Sequence, residues 1–170
     1  WLMLLMLSAT FTGIIITSFE SALAACVVLT SFIPMLSGTG GNSGSQSSVA
    51  VIRALSLDEI DFSDLVAVVW KEIRVAVLCG VCLAAANFVK MMVVDRWLMH
   101  NPEVTPMVAL VVCLTLVFTV LCAKVVAAPC PWWRKRSAST GGHASPFITT
   151  IVDALSLVLY FTIASRLLHL

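Results

Sequence analysis

The chain is a series of apolar runs about as long as a bilayer is thick. A run of about twenty apolar residues is long enough to cross as a helix. The most constraining run is the last, Pro146 to Phe161, which reads PFITTIVDALSLVLYF. Its opening proline suits the first turn of a helix, where its missing N–H would have had no partner. The run then stays apolar except for one carboxylate, Asp153. An acid at bilayer depth costs about 2.5–3.5 kcal/mol on insertion scales, so it marks a functional site by default. Thr149, Asp153, Ser156 and Tyr160 stand at i, i+4, i+7 and i+11, on one helical face. Ile151, Leu155, Val158 and Leu159 occupy the others. A helix with one thin polar stripe centred on an acid is suited to line a water-filled path. The competing reading is a buried acid paired with a base, but no Lys or Arg is expected in the middle of any other span.

Composition agrees with a membrane protein. Of 170 residues, 60% are hydrophobic and 11% charged, at a mean hydropathy of +1.04, whereas soluble domains hold roughly 25% charged residues. The basic residues are few and flank the spans, which gives no basis for nucleic-acid binding. The chain begins at Trp1 inside an apolar run, so it is expected to be a piece of a longer or processed protein. A signal peptide is not expected, because no basic region precedes that run. Five of the six cysteines fall within apolar spans, where Cys behaves as a small hydrophobe. Cys79 and Cys82 form a C-x-x-C without a second pair or a nearby His, which is weak as a metal or redox signal.

Helices are expected at about 1–19, 22–57, 65–94, 104–128 and 146–168. Glu20 and Ser21 separate the first two, which should form an antiparallel hairpin. The second contains SGTGGNSGSQSS, Ser37 to Ser48, with no large apolar side chain. Such a stretch normally reads as a linker. Yet Gly40 and Gly44 have G-x-x-x-G spacing, and Gly41, Ser45 and Ser48 add a row of small residues able to meet other helices closely. Asn42 and Gln46, at i and i+4, share a face as carboxamides that could bond ion-bound water. Composition alone leaves linker and pore-lining helix open. From Arg53 to Arg74 the chain is polar and interfacial, with Ser63 or Asp64 as a helix cap. Within the third span, Val75 to Val94, Asn87 reads as an interhelical hydrogen bond, and Lys90 can snorkel. Thr115, Thr119 and Cys122 form a packing ridge on the fourth. Trp132, Trp133, Arg134, Lys135 and Arg136 belong to an interfacial loop, as does His143.

With a cytoplasmic N-terminus, the inside loops hold Arg53, Lys71, Arg74, Lys124, Arg134, Lys135 and Arg136. The outside keeps Lys90, Arg96 and Arg166. The positive-inside rule favours that orientation, with the C-terminus outside a multi-pass cell-membrane protein.

No catalytic constellation is legible: there is no G-x-S-x-G, no H-E-x-x-H and no histidine cluster, so an enzyme is not expected. Transport fits better. One carboxylate is a poor site for a dehydrated divalent ion, but Mg2+ keeps its waters and is usually held by one or two carboxylates. A homodimer with its two-fold axis along the pore would face two copies of Asp153 across one hydrated ion. Hydroxyls of Thr149 and Ser156, and the Asn42 and Gln46 amides, could bond its water shell.

FIPMLSGTGGNSGSQSSVAVIRALSLDEI resembles the second-helix signature of MgtE-type magnesium transporters and channels. ASPFITTIVDALSLVLYF resembles that family's last helix, P-F-I-T-T-x-x-D, and FESAL fits the end of its first span. The resemblance covers nearly the whole chain. It implies an all-α homodimer of five transmembrane helices per chain, with the pore at the subunit interface between the second and fifth helices. It makes the glycine-rich stretch helix. Asp153 matches the central ion-selectivity acid, with the backbone carbonyl of Thr149 beside it. Asn42 and Gln46 match pore-facing amides, and Gly41, Ser45, Pro146, Thr150, Ser156 and Tyr160 complete the expected lining. One departure is Ser139 and Thr140, which stand where the family usually has Asp-Pro at its cytoplasmic mouth. The family's cytoplasmic magnesium-sensing domains are not expected within these 170 residues.

The expected function is a channel-like transporter of divalent cations, chiefly Mg2+, with Ca2+ or Mn2+ as further candidates. A Na+- or H+-coupled exchanger and a non-conducting scaffold are the alternatives.

Overall fold

The computed structural model describes residues 2–129 and 144–169. The expected interfacial loop with Trp132, Trp133, Arg134, Lys135, Arg136 and His143 lies outside the described residues, as do Ser139 and Thr140 and the side chain of Pro146.

All regular structure among the described residues is helical. Helix α1 (Leu2–Ser18) and the short α2 (Glu20–Ala25) precede a 3-10 segment, Val27–Phe32. The long α3 (Ile33–Ser56) carries the glycine-rich stretch. A 3-10 turn, Phe62–Asp64, leads into α4 (Leu65–Lys90), which continues as a π-helical segment, Met91–Leu98. Helices α5 (Pro106–Ala127) and α6 (Ala144–Leu168) follow.

Among the described residues, three stretches are long and apolar enough to cross a membrane: Leu65–Leu98, Pro106–Ala127 and Ile148–Leu168. Helix α3 has 24 residues, about 36 Å at 1.5 Å per residue. That is bilayer length, but its glycines and serines keep it from being apolar.

The starts of the helices follow local chemistry. Thr105 Oγ1 accepts from the N–H of Val108 at 3.2 Å, and Pro106 occupies the first turn of α5. Ahead of α4, Asp61 and Asp64 form a reciprocal capping box, in which Asp64 Oδ2 accepts from the Asp61 N–H at 2.8 Å. Asp64 thus stands before α4 as expected, but its carboxylate serves the preceding turn.

Two expectations need correction. The single helix expected over 22–57 is three pieces, because Cys26 leaves helical geometry at φ −143°, ψ 79°. Val27 and Val28 follow it, and β-branched residues form helix less readily. Nor does α1 form a hairpin packed along α3; its partner is α6. Phe19, just beyond α1, stacks on Phe161 with ring centroids 5.0 Å apart, and Ile15 and Ile16 join the same core.

Helices α3, α5 and α6 pack mutually, with α4 against α5 and α1 against α6. The larger core joins Leu29, Phe32, Leu36, Val112, Tyr160 and Phe161 at one end of this trio. A smaller core, Ala123, Ala127, Ile148 and Val152, fills the other. Helix α4 approaches α5 closely at Gly80, where an added methyl would lie 3.2 Å from Val117 Cα. Further along, Asn87 is buried and its Nδ2 donates to Cys113 Sγ at 3.8 Å, while Cys113 Sγ–H donates to the Ala84 carbonyl at 3.2 Å. Asn87 therefore makes the interhelical bond its place in an apolar span suggested. Cys79 and Cys82 are exposed and unbonded.

Candidate functional site

The glycines of α3 set how near the neighbouring helices come. A methyl on Gly40 would fall 2.8 Å from both Thr119 Cγ2 and Val152 Cγ1, and one on Gly44 3.1 Å from Ile148 Cγ2. No side chain fits at Gly40 without something moving, so the G-x-x-x-G pair holds α3 against α5 and α6. Thr115 and Thr119 are buried in this packing, as the ridge on the fourth span suggested.

Gly41 lies one step round the helix and contacts Thr149 and Asp153 of α6. A methyl there would sit 3.2 Å from Thr149 Cγ2 and 3.7 Å from Asp153 Oδ1. The absent side chain therefore lets the acid lie against the α3 backbone. Asp153 and Thr149 are partly exposed. About 100° further round from Gly41, Asn42 and Gln46 are exposed, with Ser45 between them and the covered side. The open strip of α3 runs Gly38, Asn42, Gln46, Val49 and Arg53, at spacings of three and four. In the middle of the helix this strip is small or polar, and Gly41, which lies against Asp153, is next to Asn42 in the chain.

The polar stripe on α6 divides. Thr149 and Asp153 keep some exposure, but Ser156 and Tyr160 are buried within the chain's own packing. Ser156 Oγ donates to the Val152 carbonyl at 2.6 Å, and Tyr160 OH donates to the Leu29 carbonyl at 2.9 Å. Their place on Asp153's face is as the periodicity gives it. What differs is the cover: the 3-10 segment lies over that end of α6. Thr150 sits partly exposed beside Thr149.

Among the described residues the ion pairs are Lys90–Asp95 and Lys124–Glu72. Neither includes Asp153, so the reading of that acid as a salt-bridged core residue has no partner among them.

Sequence reasoning missed a second polar cluster. Glu72 of α4 is buried, and its Oε2 accepts from Ser47 Oγ of α3 at 2.8 Å and from Lys124 Nζ of α5 at 2.9 Å. Lys124 is thus a buried ion-pair member, not the loop cation expected. The readable signal was the row Val68, Glu72, Ala76, Gly80, whose spacing of four places Glu72 on the buried side of α4.

The chain is similar in sequence to known proteins. The family described as MgtE, divalent cation transporter, matches residues 33–163. Over 170 residues, 99% of the chain, it is 34% identical to the magnesium transporter MgtE of Thermus thermophilus and 34% identical to that of Bacillus subtilis. The corresponding protein of Enterococcus faecalis is 27% identical over the same share. The chain spans 36% of the length of each. The matched stretch contains both the glycine-rich α3 and the acid of α6, and on that match the chain belongs to the MgtE family of divalent cation transporters.

Proposed function

We propose that this chain is the membrane domain of a channel-like divalent-cation transporter, with Mg2+ as its chief cargo. The reading rests above all on Asp153, which lies partly open against Gly41 of α3 and outside both ion pairs seen among the described residues, while Asn42 and Gln46 of the same helix are exposed. Polar groups facing lipid go unsatisfied, so such a face belongs against another subunit or water. Two copies of the chain with α3 and α6 at a two-fold axis would satisfy it. They would bring two Asp153 carboxylates to one hydrated ion, matching its charge of +2.

In this arrangement Asp153 attracts the ion through its water shell, and the Thr149 carbonyl and the Asn42 and Gln46 amides bond those waters. Mg2+ sheds water reluctantly, which favours such an outer-shell site. The relatives named as magnesium transporters support the choice of ion. Helices α1, the α2–α3 stretch, α4, α5 and α6 would make five crossings, with the N-terminus cytoplasmic. Ser156 and Tyr160 support the lining from behind.

The test is Mg2+ flux into liposomes holding the purified domain, with no other ion gradient. Flux along the Mg2+ gradient that vanishes in Asp153→Asn is the expected result. Flux that needs a Na+ or H+ gradient would replace the channel with an exchanger, and unchanged flux in the variant would move the path elsewhere.

A further inference from the structure

At the end of the bundle where α4 stops and α5 begins, three departures from regular helix meet around one cavity of about 460 Å3. The 3-10 segment before α3 contributes Ser31 and Phe32, the π-helical end of α4 contributes Asp95, and the following loop contributes His100 and Asn101. His100 has φ 51°, a left-handed conformation that a non-glycine residue adopts at a cost. Strained backbone and π-helical turns concentrate where a structure binds or acts.

The π geometry has a direct consequence. Lys90 and Asp95 are five residues apart, and a π-helix repeats its hydrogen bonds at that spacing. Lys90 Nζ therefore reaches Asp95 Oδ2 at 2.8 Å, while standing 5.9 Å from the centre of the Phe32 ring. Asp95 is mostly covered, but the lysine side chain is 49% exposed and has N–H donors to spare. His100 Nδ1 lies 3.1 Å from the Leu98 carbonyl, so it carries the proton and donates there. The cavity's other donors are Lys90, the Ser31 hydroxyl and the NH2 of Asn101, whose amide oxygen already accepts from the Glu103 N–H at 3.0 Å.

This chemistry does not suit a metal ion. The carboxylate is already matched by Lys90, and no cluster of three or more metal-ligating side chains occurs among the described residues. It suits an anion with an apolar attachment. Val28, Phe32 and Val104 line the rest of the cavity, which lies at the ends of two membrane-length helices. We propose that this cavity binds the phosphate headgroup of a membrane phospholipid. Lys90 is its charged anchor, and the valines and Phe32 take the start of the glycerol and acyl portion. The proposal rests on the chain spanning a membrane and is independent of which ion crosses it.

Native mass spectrometry of the detergent-extracted domain, titrated with phosphatidylglycerol, reads the site directly. One tightly retained phospholipid per chain is expected, with retention falling about tenfold in Lys90→Gln, as for the loss of one charge-assisted bond. His100→Gly provides a fold-safe control, because glycine accepts φ 51° without strain. Its lipid-free thermal stability should match or exceed the parent's, and its lipid retention should stay at the parent's level. Equal retention in the parent and Lys90→Gln overturns the site. Stabilisation by glycerol 3-phosphate as strong as by the lipid assigns the cavity to soluble phosphates and overturns the lipid. Flux enters neither readout, so failure of the transport reading leaves this test intact.

Discussion

Glu72 and Asp153 are both carboxylates within helices, and their surroundings are opposite. Glu72 is buried and receives Ser47 from α3 and Lys124 from α5 on one oxygen, so it ties three helices together. Asp153 lies partly open against Gly41, outside both ion pairs seen among the described residues. A buried acid with a matched base is a structural fastener whose separation is costly. An acid at membrane depth without one keeps its charge only if something beyond the chain offsets it, whether water, a cation or a second copy.

The sharpest way to break this contrast is to neutralise Asp153. Asp153→Asn should abolish Mg2+ flux in liposomes while the domain still folds, as judged by an unchanged elution profile and thermal midpoint. Removing the partner of the other acid should do the reverse to stability. Lys124→Met is expected to destabilise by about 3–5 kcal/mol, because Glu72 is left buried and unpaired. Adding Glu72→Gln should restore most of the loss in thermal unfolding; failure to restore it would mean that the pair does not act as a unit. Between the two acids stand the glycines. Gly40→Ala places a methyl 2.8 Å from Thr119 and Val152, an overpacking cost of about 1–3 kcal/mol, which should appear as a lower melting temperature. The smallest change tests the divided stripe on α6. Tyr160→Phe removes the bond to the Leu29 carbonyl and should cost about 0.5–1.5 kcal/mol, with single-channel conductance unaltered. A changed conductance would return Tyr160 to the ion path.

Much of this was readable before any tertiary structure. The starting turn of α6 and the one-face grouping of Thr149, Asp153, Ser156 and Tyr160 follow from helical period, which is a local property. The small-residue row of Gly40, Gly41 and Gly44 announced close packing, although by composition it could equally have been a linker. Less was legible where a boundary mattered. By sequence alone Glu72 and Lys124 read as interfacial and loop residues, since helix ends are blurred in sequence and each charge reads as solvated.

The sequence by itself determined that the chain is built of membrane-length helices, that one of them carries a lone acid, and that another is too small-sided to face lipid alone. Only the tertiary structure decided which parts of each helix are covered. Periodicity says which residues share a face but not what packs on it. The break at Cys26 starts the 3-10 segment whose Leu29 carbonyl covers Tyr160, while Asp153 lies partly open against Gly41. Pairing Glu72 with Lys124, 52 positions apart, depends on helices meeting in space, and no local pattern encodes that meeting.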